Sequence, residues 1–325
     1  MEFILWLSAG RKEFPWSWRK LDYKRFVKAM RRVSIIGAGV VGTALGYLLN
    51  KGGFPVVGIA SRTLRSAEKA REFIGSGQTS IDLSSTARKS EIVFLTTSDR
   101  AIKGACDHIA FEGGFNPGAV VFHTCGALPS TILKSARKCG AETASLHPLQ
   151  SFANVKKAVK TLPGSYFCIE GDESAISVAR EIIAVLRGKE ITLNVYKKPF
   201  YHAGACAASN FLVATVGLGL ELFEAAGIER HDALKALMPL IKGTVKNIET
   251  LGLPSALTGP IARGDRDVIE DHLKIVSKER PELVKIYTEL GRYTAKVAVK
   301  KGTLKDKAAR SIISLFDKYE KRLSV

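Results

Sequence analysis

The chain is predicted to be an α/β protein with a doubly wound, mostly parallel Rossmann sheet followed by an all-helical second domain. Three observations carry this prediction. Strand-like and helix-like segments alternate from Val33 to about residue 196, as parallel βαβ units do. The first strand runs directly into a glycine-rich turn, "VSIIGAGVVGTALG". From Lys197 onward the apolar residues recur with a helical period and strand patterns cease. The expected domains are a basic extension over 1–32, a dinucleotide-binding domain over 33–196, and a helical domain over 197–325.

The elements follow in order. "VSIIG" is a short buried strand, and "GTALGYLLNKG" is the helix behind it, ending at Gly52 and Gly53. "PVVGIA" is the second strand and "RSAEKAREFI" the second helix, with its charges on one side. "EIVFLTT" is a strand leading into the turn and helix "SDRAIKGACDHIA". "AVVFHTCG" and "TASLHPL" are strands flanking a helical "PSTILKSARKCG". "SYFCIEG", "ESAISVAREIIAVLRG" and "EITLN" add a strand, a helix and a strand. Beyond "KKPFY", Pro199, Pro239, Pro254, Pro260 and Pro281 are expected to punctuate helices.

The charge of +18 is concentrated at the ends. Residues 1–32 and 295–325 each hold nine Lys or Arg against three Asp or Glu. A nucleic-acid binder would instead show a basic stripe with interleaved aromatics on a recognisable module, so nucleic acid is not the expected partner. Attraction of small anions accounts for the same charge. All three tryptophans lie in 1–32, a segment without a clear period, and Met30 is a candidate alternative start. Five cysteines without a CxxC pair fit neither a disulfide framework nor a zinc site. No metal is expected, and reduced thiols suit a cytoplasmic location. The uncharged run Ala203 to Leu220 approaches the length of a membrane span, but Ser209, Asn210 and several glycines favour a buried helix of a soluble protein.

The dinucleotide site is expected at Gly37, Ala38, Gly39, Val40, Val41 and Gly42. Gly37 permits the tight turn, Gly39 lets the backbone approach a pyrophosphate, and Gly42 allows the helix to pack closely on the strand. The second strand ends "IASRT", with no acid to bind a ribose 2′-hydroxyl. Ser61 and Arg62, with Arg65 nearby, suit a 2′-phosphate instead, so the cofactor is predicted to be NADP(H). Ligands of open α/β sheets bind outside the carboxyl ends of the strands. Those ends read Thr96-Thr97-Ser98, His123-Thr124-Cys125-Gly126 and His147-Pro148. Thr96, Thr97, Ser98 and Thr124 are candidate cofactor contacts, and His123 and His147 are candidate substrate contacts.

The stretch "YHAGACAASN" places a polar stripe on a helix. At about 100° per residue, Cys206, Ser209 and Asn210 fall within about 80° of His202 on the helical wheel. Buried polar groups need partners, and a ligand can be one. His202 is the candidate general acid, because imidazole titrates near neutral pH. Ser209 joins the stripe as a substrate contact. In "ALTGPIARGD", Arg263 either clamps a substrate carboxylate, pairs with Asp265, or caps a helix.

The motifs "VSIIGAGVVGTALG", "VFHTCGALPS", "SLHPLQSF", "YHAGACAASNFLVA", "MPLIKGTVKNI" and "ALTGPIARGD" occur in this order over about 33–275. Together they resemble Rossmann-like NADP oxidoreductases whose helical C-terminal domain is largely uncharacterised. The layout is more distantly similar to pyrroline-5-carboxylate reductases, ketopantoate reductases and 3-hydroxyacid dehydrogenases. The resemblance implies a reductase, a cleft lined by the first helix of the second domain, and a homodimer built through the helical domains. Cys125 departs from the serine more usual in "HTCG". Several of the similar enzymes carry a lysine and an asparagine four residues apart on the corresponding helix. Asn210 matches the asparagine, which orients substrate, but Cys206 stands where the lysine would be. The expected activity is therefore hydride transfer to a C=O or C=N carbon of a small anionic metabolite, with His202 as acid and Asn210 as orienter. A non-catalytic NADP-binding sensor or scaffold is the alternative.

Overall fold

The computed structural model describes residues 31–323. The predicted extension, apart from Arg31 and Arg32, therefore lies outside the described residues, as does Met30. The chain divides into two compact units, 1–209 and 210–325.

In the first unit, β1 (Val33–Ile36), β2 (Val56–Ala60), β3 (Gln78–Ser80), β4 (Ile92–Leu95), β5 (Val120–His123), β6 (Glu142–Pro148), β7 (Tyr166–Gly171) and β8 (Lys189–Thr192) form one sheet. Its order is β3-β2-β1-β4-β5-β6-β7-β8. The chain starts in the middle and winds outward both ways, as in a dinucleotide-binding fold. α1 (Val40–Lys51), α2 (Leu64–Ile74), α6 (Val155–Thr161) and α7 (Glu173–Val185) cover one face. There Ile35, Phe94, Phe122, Leu146, Phe167 and Ile169 form the larger core. α3 (Leu83–Ala87), α4 (Asp99–Phe111) and α5 (Lys134–Lys138) cover the other, over Ile36, Val93, Leu95 and Val121. The central strands are apolar on both faces because helices cover both.

The local sequence explains most boundaries. α1 stops at Lys51 because Gly52 and Gly53 follow, and Gly53 adopts φ +90°. Thr63 caps α2 through its hydroxyl, which accepts from the Ser66 amide. Gly75 ends α2 in the left-handed region that favours glycine. β3 and α3 have no counterpart in the sequence reading. β3 is three residues of Gln, Thr and Ser, too short and too polar to show alternation.

Two strands depart from the parallel pattern of the rest. β7 runs antiparallel to β6, with Ser145 opposite Glu170 and His147 opposite Cys168. β8 is parallel to β7. A helix between two strands does not force a parallel crossover when the chain re-enters from the far end.

α8 (Lys198–Ala225) begins in the first unit, after a 3-10 turn over Val195–Lys197. The second unit continues it with α9 (Arg230–Leu251), α10 (Pro260–Arg263), α11 (Arg266–Glu279), α12 (Val284–Lys301) and α13 (Asp306–Leu323). Its core gathers Ile269, Leu273 and Val276 with Val284, Ala295, Ala298, Ile312, Leu315 and Phe316, at the spacing of apolar helix stripes. Pro239, expected to punctuate the helices, sits inside α9 without ending it.

The apolar run of α8 is not the buried helix the sequence suggested. Phe211 and Val213 are 63% and 72% exposed. On α9, Leu240 and Leu251 are 66% and 59% exposed. Length and apolarity implied burial, but among the described residues these faces stay largely exposed. The segment Val195–Ala225 is long and apolar enough to cross a membrane by composition. Its first turn, however, is tied into the sheet.

Candidate active site

The glycine turn after β1 has the geometry its sequence implies. Gly37 adopts φ +113°, and a Cβ there would lie 2.6 Å from the carbonyl carbon of Thr96. Its amide donates to the carbonyl of Ala60 at 2.8 Å. The buried Thr96 hydroxyl donates to the carbonyl of Gly37 at 2.7 Å. β4 thus braces the turn that β1 enters. A Cβ on Gly42 would lie 2.3 Å from the Gly37 carbonyl oxygen and from Thr96 Oγ1, so α1 rests directly on the turn. Gly39, the N-cap of α1, is different. It is exposed, with no atom within 4 Å of a would-be Cβ. Its open backbone is a surface a pyrophosphate can reach. No acid occupies the first turn of α1, so its free amides face no negative charge on their own helix. Ala38, Val40 and Val41 are half-buried around this turn.

Beyond β2, Ser61 is half-buried, and its amide donates to the carbonyl of Ser80. Arg62 and Arg65 are exposed, and neither has a hydrogen bond or ion pair among the described residues. Both guanidinium groups are unengaged and lie just past the carboxyl end of β2. Past β4, Thr97 is half-buried and Ser98 is the N-cap of α4, its hydroxyl not engaged in capping. Thr124, after β5, is half-buried.

The carboxyl ends of β5 and β6 and the first turns of α8 form a compact cluster within the first unit. His147 Nδ1 and the Tyr201 hydroxyl share a hydrogen bond of 2.8 Å. The His147 and His202 rings stand edge to face, 6.5 Å between centroids. Gly126 separates them. A Cβ there would lie 2.8 Å from Cε1 and Nε2 of His147 and 2.9 Å from Cδ2 of His202. Only a glycine lets the loop pass between these rings. His147 is held down to about 4 by burial, by the Lys198 charge and by His202. It is therefore neutral at pH 7. Burial of Tyr201 pushes its phenol up, so it is protonated.

His123 is placed differently from the expectation. It is fully buried beneath this cluster, its Nδ1 accepts from the Cys125 amide at 3.2 Å, and its Nε2 is sealed without a partner. Burial, with Lys198 nearby, lowers it to about 3. The sequence suggested a substrate contact here, but the ring is sealed from solvent. Cys125 is also buried, its thiol raised chiefly by burial, and its Sγ accepts from the Ala127 amide.

Beneath His147 lies an ion pair that the sequence did not reveal. Lys198 is wholly buried, and its Nζ lies 2.9 Å from Glu170 Oε1. It also hydrogen-bonds Ser145 Oγ. Glu170 in turn accepts from the Ser130 amide at 2.8 Å and hydroxyl at 2.7 Å. The network joins β6, β7, the turn before α5 and the start of α8. The double lysine at 197–198 reads locally as a solvated surface. Only the antiparallel pairing that sets Ser145 opposite Glu170 builds a site for one of them.

The polar stripe is only partly drawn together. His202 and Cys206 are half-buried, with Sγ 3.8 Å from Nδ1, whereas Ser209 and Asn210 are exposed. Asn210 opens the second unit, two turns along the same helix from His202. Arg263, also in the second unit, takes the pairing alternative. Its Nη2 lies 2.7 Å from Asp265 Oδ2. Any carboxylate it clamped would have to compete with Asp265. Among the described residues, no three His, Cys, Asp or Glu side chains gather as metal ligands would.

Two family models match the chain, one after the other. Residues 22–148 match the model of a Rossmann-like domain, and residues 165–294 match that of a domain of unknown function, DUF2520. Protein TM1727 from Thermotoga maritima is 29% identical with a TM-score of 0.66, over 83% of this chain and 99% of that one. A putative NADP oxidoreductase, BF3122, from Bacteroides fragilis is 23% identical with a TM-score of 0.69, over 82% and 98%. An imine reductase from Myxococcus stipitatus, solved in complex with NADP+, is 15% identical with a TM-score of 0.61, over 88% and 99%. No curated protein matches by sequence.

Proposed function

We propose that this chain, a Rossmann-like domain joined to a DUF2520 domain, is an NADPH-dependent oxidoreductase acting on a C=O or C=N carbon of a small anionic metabolite. A 2-oxoacid or a cyclic imine is the substrate class in view. The observation that carries the reading is the gathering of His147, Tyr201 and His202 about Gly126, at the edge of the sheet where β1 runs into the glycine turn. The similarity to a putative NADP oxidoreductase and to an imine reductase supports the same class.

The residues fit the cofactor. The open backbone at Gly39 and the free amides of α1 receive the pyrophosphate, and Arg62 with Ser61 receives the 2′-phosphate. Thr97, Ser98 and Thr124, at the carboxyl ends of β4 and β5, would line the way to the nicotinamide. Bound NADPH supplies the hydride, and the protein supplies position and the proton. His202 is half-buried beside Gly126 and is the proton donor in this reading. Ser209 and Asn210 continue its stripe and orient the substrate.

The exposed apolar faces of α8 and α9 are read as the surface of a homodimer. Cytoplasmic residence agrees with five thiols, none of them in a disulfide.

The test compares the dissociation constants of NADPH and NADH for the wild type and Arg62→Ala. NADPH should bind more tightly, and the variant should lose about tenfold or more for NADPH alone. Equal wild-type affinities would remove the NADP assignment. NADPH oxidation is then followed with a panel of 2-oxoacids and cyclic imines, where His202→Gln should cut turnover by about two to four orders of magnitude. Binding without any turnover would favour a sensor or scaffold instead, a reading to which Cys206 lends weight because it stands where related reductases carry a lysine.

A further inference from the structure

The first turn of α8 makes two attachments to one face of the sheet. Lys198 reaches Ser145 and Glu170, and Tyr201, one turn later, reaches His147. Ser145 and His147 are two residues apart on β6 and so point to the same face. Their opposite numbers on β7 are Glu170 and Cys168. The helix is thus fixed at two heights along a single strand. His147 is left with one nitrogen engaged and one without a protein partner among the described residues. That free Nε2 lies on the ring edge facing Gly126 and is not among the sealed polar atoms. This distinguishes it from Nε2 of His123 below it, which is sealed.

We propose that the first turn of α8 is a clamp that presents His147 as a fixed hydrogen-bond donor, with Tyr201 setting its tautomer and Lys198 acting as a positioning residue. The phenol is the more acidic and the imidazole nitrogen the more basic partner of this pair, so in the clamp Tyr201 donates to Nδ1. The imidazole proton then resides on Nε2, aimed at the space beside Gly126. A carbonyl oxygen, an imine-derived nitrogen or a carboxamide oxygen placed there would accept it. A neutral imidazole polarises such an atom without itself transferring a proton, and this leaves proton delivery to His202.

The charge around His147 favours that neutral state. On α8 it faces Lys198 and His202, both of which disfavour a positive charge on its ring. On β5 it faces His123, itself neutral. Asp99, in the first turn of α4, is the group that opposes them by favouring the imidazolium. Glu170 on β7 is engaged by Lys198 and by Ser130. The Cys168 thiol is raised by burial and stays uncharged. Lys198 therefore acts on His147 in two ways, by holding the helix that carries Tyr201 and by disfavouring a second positive charge.

This inference rests on the reductase reading for what His147 touches, but not for the state of its ring. The experiment uses the full chain with ¹⁵N-labelled histidine and long-range nitrogen–proton NMR spectra. The wild type should show His147 protonated on Nε2 and titrating well below the ordinary histidine range. Tyr201→Phe should produce a mixture of tautomers. Lys198→Met should raise the His147 midpoint by about one unit or more. Lys198→Met combined with Glu170→Gln should do the same while leaving no unpaired buried carboxylate if the single variant fails to fold. NADPH alone, followed by its fluorescence on the wild type, is the parallel probe of the cofactor site. A wild-type proton on Nδ1, or a tautomer and midpoint unmoved by all three variants, overturns the clamp. Loss of NADPH binding in the wild type, with the ring behaviour as stated, overturns the reductase reading instead.

Discussion

Lys198 Nζ lies 2.9 Å from Glu170 Oε1, with the lysine wholly and the glutamate almost wholly out of solvent. A buried pair of this kind is costly to break from one side, because the remaining charge has no water to turn to. Lys198→Met should therefore destabilise the protein by about 3–5 kcal/mol. Lys198→Met with Glu170→Gln should recover most of that loss, since the amide oxygen still accepts from Ser130. Urea unfolding of both variants checks this, and a double variant no more stable than the single one would refute it.

The two glycines of the turn should fail in different ways. Gly42→Ala places a methyl group 2.3 Å from the Gly37 carbonyl oxygen and Thr96 Oγ1, so it should cost about 1–3 kcal/mol of stability. Gly39→Ala meets no atom within 4 Å, so melting should hardly move while NADPH affinity falls. Thermal melts and fluorescence titrations separate the two effects.

Stability should fall in mild acid. His123 and His147 are lowered in the folded protein to about 3 and about 4, chiefly by burial. In the unfolded chain both titrate near the ordinary value of about 6.5. Between those values the unfolded state binds more protons, so stability is fully present above about pH 6.5 and is lost as the pH drops toward 4. The urea midpoint measured from pH 7 to pH 4 should decline steadily. His147→Phe should flatten part of the decline, and an unaltered slope would count against the assignment.

The apolar faces of the helical unit give a prediction about assembly. Leu240 and Leu251 are more than half exposed in the single chain. If they meet a second copy, Leu240→Asp should convert a dimer into a soluble monomer at micromolar concentration. Sedimentation velocity on the two proteins tests this, and a monomeric wild type would dispose of the idea.

Much of the first unit was legible because its signals are local. The glycine spacing of Gly37, Gly39 and Gly42, the strand before it and the unaccompanied Arg62 all sit within a short stretch of sequence. What escaped notice depends on distant partners. Lys198 finds Glu170 only because β7 is reversed, and no pattern near either residue announces that. β3 is too short to carry a period. The exposure of Phe211 and Val213 was misread because an apolar helix looks alike whether it is covered by its own chain or left bare. His123 and His147 look equivalent as strand-end histidines, yet the first is sealed beneath the loop and the second keeps an open nitrogen.

The reversal of β7 decides where the chain leaves the sheet. Had β7 and β8 run with the others, β8 would have delivered the chain at the nucleotide rim, and the next helix would have departed without passing the site. Because both strands run the opposite way, the chain emerges at the far rim and must travel back along β6. Lys198 meets Ser145 on that return, Tyr201 meets His147, and His202 arrives beside Gly126. The direction of these two strands thus brings the first turns of α8 beside the carboxyl ends of β5 and β6.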